Sequence, residues 1–112
     1  MDIRAHLRFL PISAQKVRLV TDLVRGKSAN EALEMLRFVP NRAAAPVRKV
    51  LASAVANAEE NFGVSRDDLF VATIYADEAP TRRWRRFGAR GRFKPILRRS
   101  SHVTVILRER GA

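Results

Sequence analysis

Between residues 81 and 99 the chain reads TRRWRRFGARGRFKPILRR, which is nine cations (Arg82, Arg83, Arg85, Arg86, Arg90, Arg92, Lys94, Arg98 and Arg99) without one acid. No hydrophobic core can be assembled from such a stretch. Like charges at this density repel, and burying them unpaired costs more than packing returns. The segment must therefore lie outside whatever core the remaining chain builds. Of the 22 Lys+Arg and 11 Asp+Glu, setting these nine aside leaves 13 cations against all 11 acids. The remaining chain is thus close to neutral, and one segment supplies most of the net charge of +11.

A cationic run is usually a solvated tail. This one is internal, with strand-like sequence on both sides, and nearly all its cations are arginine. The planar guanidinium pairs with phosphate bidentately and stacks on bases. Trp84, Phe87 and Phe93 interleave with the arginines and offer stacking surfaces that solubility alone does not require. The combination points to a nucleic-acid-binding element.

A length of 112 residues suits one domain with a modest core. No run approaches the roughly 18 apolar residues of a membrane span, and the opening MDIRAHLRFL lacks the apolar centre of a signal peptide. With no cysteine, disulfides, thiolate metal sites and a cysteine nucleophile are excluded, which fits a reducing compartment such as the cytoplasm. A membrane-surface helix would carry its cations on one amphipathic face, whereas this run contains Gly88, Gly91 and Pro95.

Taken in order, Ile3, Ala5, Leu7 and Phe9 alternate with Arg4, His6 and Arg8, predicting a half-buried strand over residues 3–9 with its basic face outward. Ser13 predicts an N-cap for a helix to about Arg25, with Val17, Val20, Leu23 and Val24 on the core face and Gly26 as its stop. Ser28 and Glu31 fit a capping box opening a second helix to about Phe38, burying Ala32, Leu33 and Leu36. Asn41 is placed to cap a third helix ending near Asn61, with Gly63 just beyond and Val47, Val50, Leu51, Ala54 and Ala58 as its core stripe. Pro46 conflicts with a helix starting at Asn41, because it would remove a hydrogen bond and crowd the preceding turn.

Residues 69–77 (LFVATIYAD) and 101–107 read as strands flanking the basic segment, and with it they form a hairpin. The expected fold class is α+β: three helices packed on a small three-stranded antiparallel sheet, with a long basic β-hairpin protruding from it. The domain is single, with a globular part at about 1–79 plus 101–112 and an arm at about 80–100. Limbs of about 18 residues at about 3.3 Å each would outreach a globule of this size. Pro80 and Pro95 are expected to interrupt pairing near opposite positions of the limbs. The arm is expected to be mobile in the free protein and fixed by RNA.

His6 and His102, the two histidines, fall in predicted strands with no serine or paired carboxylate at telling spacing, so strand-pairing roles are expected. Adjacent Asp77 and Glu78, like Asp67 and Asp68, point to opposite faces of a strand and make no metal or acid–base pair; Asp77 and Glu78 are expected to pair with arm arginines. Residues 88–91 are too short and cationic for a nucleotide loop. No enzyme, cofactor or metal is expected.

The motifs SAQKVRLV (13–20), DLVRGK (22–27), EAL (31–33), AVANAE (54–59), Asp77-Glu78, Gly91-Arg92, Ile96-Leu97 and RSSHV (99–103) together resemble the bacterial large-subunit ribosomal protein L twenty-two family. The resemblance implies a structural, non-catalytic constituent of the large ribosomal subunit in the cytoplasm, with ribosomal RNA, neighbouring ribosomal proteins and the nascent peptide as partners. It implies that the hairpin threads into RNA and that its tip, here Phe87, Gly88, Ala89, Arg90 and Gly91, helps line the peptide exit tunnel. The tip departs from the family's Pro-Arg-Ala-x-Gly-Arg-Ala-like pattern, reading FGARGRF over residues 87–93. RNA contact is expected from Arg82, Arg83, Trp84, Arg85, Arg86, Arg90, Arg92, Lys94, Arg98 and Arg99. A second, weaker patch comprises Lys16, Arg18, Arg25 and Lys27, with Arg4 and Arg8 nearby. No membrane partner and no homo-oligomer are expected. The alternative reading is a free nucleoid architectural protein that wraps DNA with a basic β-arm.

Overall fold

In the computed structural model the described residues are 2–87 and 93–110, with backbone alone for 82–98 within that set. The elements are β1 (Ile3–Leu10), α1 (Ala14–Val24), α2 (Ala29–Phe38), α3 (Ala44–Phe62), a 3-10 turn (Arg66–Asp68), β2 (Leu69–Glu78), β3 (Arg82–Phe87), β4 (Phe93–Arg98) and β5 (Ser101–Glu109). β1, β5 and β2 make one antiparallel sheet in that order, and β3 pairs with β4 in a second, two-stranded sheet. The α+β expectation and the three-stranded sheet covered by three helices are both met.

β5 is central, so its inward residues Val103, Val105 and Leu107 are fully buried between the strands and the helices. Leu7, Ala5 and Ile3 register opposite them from β1, and Ala76, Ile74 and Val71 from β2. Valines, leucines and alanines from α1, α2 and α3 complete one continuous core. α3 places Ala54 and Ala58 against it, and such small side chains let helix and sheet approach closely. Ser28 accepts the Glu31 amide as expected of its cap. Gly63 ends α3 at φ +66, a left-handed conformation in which a Cβ would be strained.

Four expectations need correcting. The β1 alternation breaks at a bulge between Leu7 and Leu10, which turns Leu10 into the core and leaves Phe9 61% exposed at φ +56. In α1 the buried position is Thr21 rather than Leu23, which is 44% exposed. Thr21 is tolerated there because its hydroxyl donates to the Arg18 carbonyl at 3.3 Å. Leu19 is exposed as well, so the outer face of α1 carries two large apolar side chains, Leu19 and Leu23. The third helix starts later than Asn41: the Asn41 side chain accepts the Ala43 amide at 2.9 Å and the helix opens at Ala44. Pro46 is thereby in the first turn, where its missing N–H would have had no intrahelical partner, and the conflict disappears.

The last correction concerns the prolines flanking the arm. Pro80 lies in the gap between the two sheets, where Ala79 donates to the Ser100 carbonyl at 3.0 Å. Pro95, however, sits inside the β3–β4 ladder opposite Arg85. Pro95 has no N–H to donate, yet the register runs unbroken on both sides of it.

Candidate nucleic-acid interface

The ribbon begins where the core stops. β3 and β4 register Arg82 opposite Arg98, Arg83 opposite Leu97, Trp84 opposite Ile96, Arg85 opposite Pro95, Arg86 opposite Lys94 and Phe87 opposite Phe93. Like charges thus oppose each other directly at two of six positions, an arrangement that destabilises an isolated sheet. Residues alternate across a strand, so cations fall on both faces of the ribbon: Arg82 and Arg86 on one, Arg83 and Arg85 on the other. Neither face suits packing on an apolar core. Gly88, Ala89, Arg90, Gly91 and Arg92, including most of the expected tunnel-lining tip, lie outside the described residues.

At the foot of the ribbon is a cleft of about 790 Å³. It opens between the start of α1, the α2–α3 connection and the ends of β2 and β4. Lys16, Arg42 and Arg99 each reach it from a different part of the chain, with Glu78 as the acid among its lining residues. All three cations are exposed and have no ion-pair partner among the described residues. α1 begins in this cleft, and Ser13 makes no side-chain cap bond to it, so the helix presents its positive end without a covering oxygen. The geometry suits an anion with several oxygens, such as a phosphodiester backbone. The expected pairing of Asp77 and Glu78 with arm arginines falls on side chains of residues 82–98, outside those described.

The second basic patch divides into two roles. Lys16 and Lys27 are exposed and make no salt bridge among the described residues. Arg18 and Arg25 are occupied with the fold: Arg18 Nε donates to the Ala76 carbonyl at 3.1 Å, and Arg25 donates to the Ile74 carbonyl at 2.8 Å and to Asp22 at 2.7 Å. Both carbonyls belong to β2, the edge strand. Further along that edge, Gly26 donates to Val71 and Val71 donates back to Lys27. These bonds engage the edge at Val71, Ile74 and Ala76.

Arg42 is the cleft residue that sequence reasoning missed. It follows Pro40 and Asn41 in a stretch read only as a helix start, and nothing local marks it; the fold brings it to Lys16 and Arg99. The histidines have the strand-pairing roles expected. His6 Nδ1 is 3.2 Å from Thr104 Oγ1 across β1 and β5, and His102 Nδ1 accepts the Phe9 amide at 3.0 Å. Among the described residues no cluster of three or more His, Asp or Glu is placed to hold a metal, and no helix is long and apolar enough to cross a membrane.

Two relatives share this sequence closely. Proteins called large ribosomal subunit protein uL22 from Thermoanaerobacter sp. (strain X514) and Thermoanaerobacter pseudethanolicus (strain ATCC 33223 / 39E) are each 49% identical over 110 residues, covering 98% of this chain and 99% of the relative. The family model described as ribosomal protein L22p/L17e matches residues 5–108, which takes in most of β1, the helices, β2, β3 and β4 with the basic run, and all of β5 but its last residue. With the match extending over nearly the whole chain, this protein belongs to the ribosomal protein L22p/L17e family.

Proposed function

We propose that this chain is a structural, non-enzymatic constituent of the large ribosomal subunit in the cytoplasm, where it binds large-subunit ribosomal RNA through its basic ribbon and the cleft at the ribbon's foot. The observation that carries this reading is the β3–β4 register, which sets Arg82 against Arg98 and Arg86 against Lys94. A ribbon so charged needs a dense polyanion to neutralise it, and RNA phosphates do so with release of counterions. Recognition by shape and backbone suits RNA helices, whose major-groove edges are hidden. Elongation supports an arm that reaches away from the globule: the molecule measures 64 × 25 × 18 Å, with a radius of gyration of 17.1 Å against about 13 Å for a compact chain of this length.

Within this reading the whole chain is one domain, an arm over about 80–100 and a globule from the rest. Arg82, Arg83, Arg85, Arg86, Arg90, Arg92, Lys94, Arg98 and Arg99 contact RNA, with Trp84 as a stacking surface. Lys16, Lys27 and Arg42 contact it from the globule, while Arg18 and Arg25 act mainly on β2. Family membership further supports a tip, residues 87–91, that lines the path of the nascent peptide, and neighbouring ribosomal proteins around the globule. Expressed with an affinity tag, the protein is expected to co-sediment with large subunits and to stay there after a moderate salt wash. A tagged chain that sediments free, or with DNA, refutes the proposal.

A further inference from the structure

We propose that the uncovered face of the three-stranded sheet is a second RNA contact, in which Phe9, braced by His102, stacks an unpaired nucleobase. This rests on the ribosomal-RNA reading above and adds a surface and a mode of recognition to it. The helices cover one face of the sheet, and on the other His6, Thr104 and Tyr75 form one cross-strand row with Asp77 and His102 in the next. Phe9 emerges beside His102. Its ring meets the imidazole edge-on, with centroids 4.7 Å apart and an interplanar angle of 86°, and its amide donates to His102 Nδ1. The ring is therefore held at its backbone and at one contact while most of it remains in solvent.

Folding explains the bulge but not the residue. The extra position in β1 lets Leu10 turn into the core. Phe9 is the one non-glycine residue with positive φ among the described residues, and glycine or asparagine would hold that conformation with less strain and without exposing a large ring. A strained, braced and exposed aromatic is what a stacking contact requires.

The charge around it selects the occupant. Arg4 and Arg8, on the same strand, are exposed and have no ion-pair partner among the described residues. Asp2 is already tied to Arg108, leaving Asp77 as the acid beside His102. An apolar protein knob would cover Phe9 and leave Arg4 and Arg8 unanswered. A nucleotide answers both, with its base on the ring and its flanking phosphates near the arginines.

The test is equilibrium binding of the full chain to in vitro transcribed large-subunit ribosomal RNA over a salt series. Phe9→Ala and Phe9→Leu should each weaken binding roughly 5- to 100-fold at every salt concentration with the salt slope unchanged, because stacking releases few counterions. Phe9→Trp should bind within about threefold of the parent, since it restores the aromatic face. Thermal unfolding of Phe9→Gly should stay within roughly 5 °C of the parent while its RNA affinity falls, which a purely structural ring would not show. Phe9→Leu binding RNA like the parent overturns the stacking proposal, whether or not its incorporation into subunits then falls through a protein contact. If the parent binds this RNA while the Phe9 variants match it and Arg90→Ala/Arg92→Ala does not, only the sheet contact fails. If the parent does not bind, the ribosomal-RNA reading fails with it.

Discussion

Neutralising the cleft at the ribbon's foot gives the sharpest quantitative test of the interface. In the variant Lys16→Ala/Arg42→Ala/Arg99→Ala, three cations leave the 790 Å³ cleft and Glu78 remains. Each phosphate contact contributes about −0.7 to −0.9 to the slope of log affinity against log salt. Losing three should flatten that slope by about 2 to 3 units. Across the fourfold change from about 50 to about 200 mM salt, the disadvantage of the variant should shrink by roughly 20- to 40-fold. The defect is thus large at low salt and small at high salt, whereas a lost apolar contact weakens binding by the same factor at every salt concentration. Filter binding or fluorescence anisotropy with large-subunit RNA measures it directly. All three side chains are exposed and make no ion pair among the described residues, so the unfolding midpoint should hardly move. A parallel salt dependence for variant and parent refutes phosphate contact in the cleft. A fall in the midpoint equivalent to more than about 1 kcal/mol would mean instead that these side chains hold the α1–α2–β4 junction together.

Four further outcomes follow from the fold. Leu51→Ala empties a fully buried site on α3 and should cost about 2–5 kcal/mol in urea unfolding, with RNA contacts unaffected in whatever protein remains folded. Gly63→Ala meets no atom within 4 Å, so its cost of about 1 kcal/mol should be wholly that of the left-handed backbone, seen as a lower midpoint with an unchanged m-value. The hydrogen bond from Arg108 holds the Asp2 carboxyl below its ordinary value of 3.8. A depressed folded-state pKa stabilises above the unfolded value and is lost as pH falls through the folded one, so parent and Asp2→Asn should differ in stability near neutrality and converge in acid. In the free protein, amides of the two-stranded β3–β4 ladder should exchange faster than those of β5, and incorporation into ribosomal subunits should slow them; equal protection in both states would show a ribbon that is stable alone.

What the sequence displayed was what depends on neighbours along the chain. The Ser28 cap, the Gly63 stop and the alternation of Val103, Val105 and Leu107 are local signals, and each reappears in the fold. Family resemblance and the unbroken run of cations were equally plain. The bulge at Phe9 was hidden because Phe9 and Leu10 are both apolar, so inserting one residue leaves a hydropathy pattern that still reads as a strand. Thr21 was hidden because its burial rests on a bond to the Arg18 carbonyl that composition does not reveal. Arg42 joined the cleft only through the packing of α3 against the sheet, and Arg18 was assigned to RNA because its partner, the Ala76 carbonyl, lies 58 residues away.

The bonds from Arg18 and Arg25 fall on the open edge of the sheet, where a second copy could otherwise add a strand. An antiparallel sheet with two open edges invites a second copy to add a strand. Here Arg18, Arg25 and the backbone of Gly26 and Lys27 engage β2 at Val71, Ile74 and Ala76, so arginines on and just after α1 that look available for RNA bind carbonyls instead. On the opposite edge β1 carries exposed Arg4 and Arg8 and is bent by the bulge before Leu10, two devices that discourage edge pairing. The β3–β4 ribbon keeps both its edges, yet a second copy approaching it would bring another set of cations against the first. At the sheet the covered and bent backbone, and at the ribbon the charge, work against pairing with a second copy. What can still approach the ribbon closely is a partner of opposite sign, so the charge that excludes it from the core also selects its ligand.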